Sequence, residues 1–162
     1  MVRSFKAFVC LLVLLSLLTG CNDPVGVNIV CDDILLTLPA DFIDLSEESY
    51  GKDADFLYGR KTLVFMGLSE NKTSLQAMTL AEYTGYVISG NGIDATPRPF
   101  GDGYLFSYEA DIEHTAYTYT VATYEAEENF WIFQFYCPST DLENSEPEID
   151  IILQSIQPKK PA

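Results

Sequence analysis

The chain has 162 residues and carries 24 acidic side chains against 9 basic ones, a formal net charge of −15 at pH 7. That length suits one domain with a real core, and the charge argues against partners held through phosphates, whether nucleic acid or anionic lipid headgroups. With 13% aromatic residues the composition is globular rather than that of a disordered acidic tail; cations, a basic partner or plain solubility fit the charge.

Arg3 and Lys6 open the chain, and residues 7–18 are apolar apart from Ser16. A charged start, a short apolar run and small residues before a cut site describe a secretory signal. The run is too short to cross a bilayer of about 30 Å, which takes roughly 20 residues. It ends in Leu18-Thr19-Gly20-Cys21, which resembles the bacterial lipobox. That resemblance implies diacylglycerol on the Cys21 thiol and cleavage that leaves Cys21 as the first residue; an ordinary signal peptide with an incidental cysteine is the other reading. Each buried CH₂ contributes about 0.8 kcal/mol, so two or three acyl chains hold stably where one does not. The expected location is a bacterial cell envelope, with the domain tethered by lipid in the periplasm or at the surface. Asn22 and Asp23 lie where sorting signals sit, without deciding between inner and outer membrane. Cleavage removes Arg3 and Lys6 and no acidic residue, so the mature chain is more acidic still.

Of the 4 cysteines, Cys10 leaves with the signal and Cys21 is taken by lipid. An exported compartment favours pairing the remaining Cys31 and Cys137. Such a bridge would contribute roughly 3–5 kcal/mol through loop closure. No neighbouring histidine or further cysteine completes a metal set around them.

Residues 21–30 read as a lipid-proximal tether, 31–157 as a single domain and 158–162 as a basic tail. "DILLTLP" reads as a strand closed by proline, "DFIDLS" and "FLYGRK" as short strands, and "TLVFMGL" as a central strand. "SENKTS" reads as a turn. Thr79 and Glu82 form a capping box that starts a helix, Leu80, Tyr83, Tyr86 and Val87 share its face, and Gly90-Asn91-Gly92 ends it. "GYLFSYEA", "AYTYTVATYEA" and "NFWIFQFYC" alternate with period two and predict an antiparallel meander, with turns at 111–115 and 125–129. Trp131, Phe133, Phe135 and Cys137 share the predicted core face of the last strand. Ser145-Glu146-Pro147-Glu148 predicts the start of a second helix with Ile149, Ile152, Leu153 and Ile156 as its stripe.

Strands punctuated by two amphipathic helices predict an α+β fold with helices covering an antiparallel sheet. "ILLTLPADF", "TLAEYTGYVIS", the aromatic meander and the closing "PEIDIILQSIQ" together resemble the Mog1/PsbP-like group, which includes the bacterial DcrB-type lipoproteins. The resemblance covers about residues 30–157. It implies an α/β/α sandwich and a non-catalytic binding or assembly module, and it transfers no site residues.

Residues that could carry chemistry are few. The one histidine, His114, stands with Asp111 and Glu113 in a predicted hairpin turn, where polar residues belong anyway and neighbours point opposite ways. Asn91, Asp94 and Asp102 offer oxygens near glycine turns, but not at the spacing of a calcium loop. Glu125, Glu127 and Glu128 make another acidic turn. No serine stands in a G-x-S-x-G elbow, so neither catalysis, cofactor nor metal is expected. Tyr104 and Tyr108 share a face of one strand, as do Tyr117 and Tyr119 on the next. Exposed tyrosines ringed by acids would suit a protein partner, itself basic. The function expected is a membrane-anchored binding module. A narrower alternative is an immunity lipoprotein that neutralises an exported toxin in the periplasm.

Overall fold

The computed structural model describes residues 26–47, 53–75 and 77–159. The signal, the lipobox and Cys21 lie outside the described residues. In chain order the elements are β1 (Val27–Cys31), β2 (Ile34–Leu38), β3 (Ile43–Asp44), β4 (Phe56–Arg60), β5 (Leu63–Asn71) and α1 (Leu80–Gly90). Then come β6 (Arg98–Phe100), β7 (Gly103–Ile112), β8 (Thr115–Glu125), β9 (Asn129–Pro138), α2 (Leu142–Ser155) and β10 (Gln157–Pro158). A seven-stranded antiparallel sheet runs β3-β4-β5-β9-β8-β7-β6, and a three-stranded sheet runs β1-β2-β10.

Strand alternation splits the side chains of the large sheet between two cores. On one face Phe56, Phe65, Trp131, Phe133, Phe135 and Cys137 meet Ile149, Ile152 and Leu153 of α2 and Ile29, Leu36 and Leu38 of the small sheet. On the other, Phe106, Val121 and Phe130 meet Tyr83, Val87 and Ile88 of α1. The two helices therefore cover opposite faces, the layering that the sequence predicted. Backbone approach is close at Gly67, where an added Cβ would stand 2.2 Å from the Phe56 ring. Only glycine lets that ring lie flat on β5 and reach Trp131 and Phe133.

Helix α1 starts and ends as its sequence predicts, but its buried face is Tyr83, Thr84, Val87 and Ile88, and Tyr86, expected on that face, is 52% exposed. Thr79 and Glu82 cap it reciprocally. Its end is a Schellman turn: the Ile93 amide donates to the Ile88 carbonyl, with Gly92 at φ +63°. Helix α2 departs from expectation by beginning a turn earlier, at Leu142. Leu142 packs on the core and supplies the extra anchorage. Ser145, expected as the cap, instead donates its hydroxyl to the Asp141 carbonyl, which leaves Pro147 inside the helix at the cost of one backbone bond.

Three short strands were not legible. β1 takes the last four residues of the expected tether, 27–30, and pairs with β2 in register Val27↔Leu38 to Cys31↔Ile34. β10 turns the first residue of the expected tail into a partner of β2. β6 pairs with the start of β7. The β7–β8 strands also run further than expected, so that their turn contracts to Glu113 and His114, both at positive φ. "SEN" of the expected turn belongs to β5, and a single 3-10 turn follows at Lys72–Ser74.

One buried carboxylate ties the two sheets together. Asp33, only 5% exposed, stands in the β1–β2 turn. It accepts from the backbone amides of Glu128 and Asn129 at 2.8 and 3.1 Å, and from Trp131 Nε1 at 2.7 Å. Asn129 Nδ2 adds a longer bond at 3.3 Å. Its own carbonyl accepts from Lys159 and holds β10 in place.

The expected Cys31–Cys137 bridge is not formed in the structure, where both are free thiols. Both pack on the same core; Cys31 has Asp55, Asp32 and Tyr58 as neighbours, and Cys137 has Ser145 and Asp141 at the start of α2. Burial, helped by Asp55 and Asp32, pushes the Cys31 thiol up. Burial raises Cys137 too, against a hydrogen bond from Ser145 and with a push from Asp141. Both therefore stay protonated and unreactive at neutral pH. Denatured mature protein is expected to titrate with both thiols under non-reducing conditions, and a chain with neither would restore the bridge.

Candidate functional site: an open tyrosine face

The α1 side of the large sheet is only partly covered. Register places Tyr104, Thr123, Ile132 and Leu68 in one row across β7, β8, β9 and β5. The next rows are Phe106, Val121, Gln134, Met66 and then Tyr108, Tyr119, Tyr136, Val64. Helix α1 sits over the first rows, through a Thr84–Thr123 hydroxyl contact at 2.7 Å and the Tyr83–Phe130 ring stack at 4.5 Å. Its cluster ends at Tyr108.

Beyond that edge the tyrosines pack on one another. Tyr108 stacks on Tyr119 at 4.8 Å with an angle of 6°, and Tyr119 on Tyr136 at 5.4 Å. Tyr117 meets Tyr136 edge-on at 6.4 Å. All four are half-buried. Burial, then the neighbouring phenol in each case, pushes the hydroxyls of Tyr108 and Tyr119 up, so both remain neutral donors. Beside this ladder a groove of about 470 Å³ opens between α1 and β5. Met66, Leu68, Phe106 and Ile132 floor it, Val87 and Ile93 wall it, and Glu70, Asn91 and Gln134 supply polar edges.

The structure thus brings together three of the four tyrosines named from sequence. Tyr104 stands apart, in the row that α1 covers through Thr123. Tyr136 is the member that sequence reasoning missed. The signal was present: assigning Trp131, Phe133, Phe135 and Cys137 to one face of β9 puts Tyr136 on the other. The expected acidic ring is not built around the cluster, because alternation turns Glu109 and Asp111 to the opposite face of β7. Glu70 is the carboxylate that lines the groove.

The remaining candidates do not assemble. His114, Asp111 and Glu113 lie exposed at the β7–β8 tip, and Asn91 Nδ2 is spent on the Val87 carbonyl at the end of α1. Asp102 stands at the β6–β7 turn near Tyr124, whose pKa rises to about 12 through burial first and then that carboxylate. Glu125 pairs with Lys72 at 3.0 Å. Among the described residues no three His, Cys, Asp or Glu side chains converge on one point, and no helix is long and apolar enough to cross a membrane.

No protein-family model matches the chain, and no curated protein matches it by sequence. Solved structures do. Cyanobacterial PsbP from Synechocystis superposes with a TM-score of 0.54 over 86% of this chain and 95% of its own, at 12% identity. The Saccharomyces cerevisiae Ran-binding protein Mog1p gives 0.52 over 83% and 96%, at 10% identity. The fold is Mog1/PsbP-like. Among proteins of similar fold, LpqN, described as involved in cell envelope biogenesis in Mycobacterium tuberculosis, reaches 0.50 over 85% and 86%, at 10% identity. A longer Bacteroides thetaiotaomicron protein reaches 0.58 at 13% identity over 84% of this chain, which spans about half (49%) of its length. A Mog1/PsbP-like sheet with helices on both sides accounts for the half-open face here: α1, of 11 residues, is too short to shield every row of β7 and β8.

Proposed function

We propose that the chain is a lipid-anchored, non-enzymatic binding module of a bacterial cell envelope that receives a protein partner on its open tyrosine face. The observation that carries this reading is the Tyr108–Tyr119–Tyr136 stack beside an apolar groove. Stacked tyrosines present rigid apolar area with a hydroxyl at the rim, which is what the centres of interfaces use. Chemistry is a poorer use of the molecule: its described thiols are held protonated, and its histidine sits at a solvated tip. The lipobox supports the envelope, as does the fold shared with an envelope-biogenesis protein; the fold shared with a Ran-binding protein supports binding. The net charge of −15 favours a basic partner by long-range steering rather than by a local acid ring.

The test is capture from the native envelope by the lipid-free domain, wild type against a Tyr108→Ala, Tyr119→Ala double variant. Truncating two central aromatics is expected to weaken retention of a specific partner at least about tenfold, the range of interface hot spots. Loss of the two ring stacks, Tyr108–Tyr119 and Tyr119–Tyr136, is expected to lower stability by about 1–3 kcal/mol beyond the area lost, and a cooperative melt checks that the variant still folds. Equal capture by both proteins would remove this face from the account.

A further inference from the structure

The small sheet carries an apolar patch that neither core uses. In β1 and β2 alternation sends Ile29, Ile34, Leu36 and Leu38 inward, and leaves Val30 and Leu35 directly opposite each other on the outer side. Val30 is 73% exposed and Leu35 37%. Pro158 of β10 and Lys159 line a shallow depression with them, of about 330 Å³. Lys159 is itself 71% exposed in its ion pair with Glu127, and Lys160 follows it in sequence.

We infer that this outer face of the β1-β2-β10 sheet rests on the bilayer that holds the lipid of Cys21, with Val30 and Leu35 at the boundary between headgroups and acyl chains. The inference rests on the anchored reading above and adds the orientation of the domain. The tether is short. From Cys21 to the start of β1 at Val27 there are six residue steps, which span roughly 20 Å even when fully extended, at 3.3–3.6 Å each. A domain of this size has a radius of gyration of roughly 14 Å, hence a breadth well beyond that tether. The hairpin is therefore held near the membrane, and the far face of the large sheet is held away from it. A bilayer repels an acidic protein through its anionic headgroups, so the surface that touches it needs apolar side chains with lysines at the rim. Val30 and Leu35 beside Lys159 meet that need; of the two carboxylates that line the same depression, Asp32 stands exposed in the turn and Asp33 is buried, its oxygens taken up by the β8–β9 turn and Trp131. The small sheet packs on the α2 side of the large sheet, whereas the tyrosine ladder is on the α1 side. Resting on Val30 and Leu35 thus turns the partner face outward.

Full-length lipidated protein in vesicles of phosphatidylethanolamine and phosphatidylglycerol with brominated acyl chains tests this. Native Trp131 is fully buried and gives a constant background. In a Val30→Trp variant the added emission is expected to fall by about half or more, since an interfacial side chain sits roughly 5–10 Å into the boundary. In a Tyr86→Trp variant, on the exposed side of α1, it is expected to stay unchanged. Leu35→Trp provides the same reading from the adjacent strand should Val30→Trp fold poorly. Vesicle-bound protein with an unquenched tryptophan at both hairpin positions would overturn the orientation alone. Protein that fails to float with vesicles at all would remove the anchor, and the inference with it.

Discussion

Replacing Asp33 by alanine is expected to destabilise the domain by about 4 kcal/mol, read as a lowered urea midpoint with unchanged slope. The magnitude follows from what the carboxylate holds. Four donors converge on it from the β8–β9 turn and from Trp131, and truncation leaves buried N–H groups without an acceptor. A domain of this length is stable by about 5–15 kcal/mol in total, so the loss is a large share. Asp33→Asn keeps the shape but trades one acceptor for a donor facing donors, and about half that loss is expected. The same site sets an acid limit. Burial pushes the Asp33 carboxyl up, but the hydrogen bonds from Trp131, Glu128 and Asn129 together outweigh it and hold the group below the usual carboxylate range. Because the folded pKa is depressed, the stabilisation is complete above the unfolded value of about 3.9 and is lost as pH falls through the folded one. Wild type is expected to lose stability steeply below about pH 4, and Asp33→Asn to lose this component of the slope. Equal acid profiles would show that Asp33 does not govern the transition.

Replacing Cys21 by serine is expected to move the protein wholly from the membrane fraction to the soluble one. Serine cannot carry the thioether lipid, and the other contacts offered to a bilayer are slight: one exposed Val–Leu pair beside Lys159 on a chain of net charge −15. Two or three acyl chains supply far more, at about 0.8 kcal/mol for each buried CH₂. Metabolic labelling with a fatty acid is expected to mark wild type and not the variant. A Cys21→Ser protein that stays with membranes after a salt wash would contradict the anchor and point to a span or a bound membrane partner.

Long periodic elements were legible in the sequence because local pattern and tertiary burial agree there. In β9 the alternation of Trp131, Phe133 and Phe135 matches a face that is wholly buried, and the reciprocal cap at Thr79 works without help from the rest of the fold. β1, β6 and β10 were illegible for the opposite reason. Strands of five, three and two residues carry too little pattern, and they exist only because a distant strand offers an edge. Helix α2 shows tertiary contact overriding a local signal: the Ser145 box is well formed in sequence, yet burial of Leu142 draws the start back a turn. The cysteine count predicted a bond where the structure has two free thiols, and counting says nothing of how two thiols stand to one another. Asp33 is simply the first residue of "DILLTLP" in the sequence. Its role depends on residues almost a hundred positions away, which no local window contains. The tyrosine face was half legible: parity within each strand marked its members, but only the register across strands shows which of them stack.

The account turns on export and acylation, and intact mass analysis of the protein purified from its own cells tests that most directly. It predicts a chain that begins at Cys21 and carries a diacylglyceryl group, with the first twenty residues gone. A chain that retains Met1 and an unmodified Cys21 would contradict it.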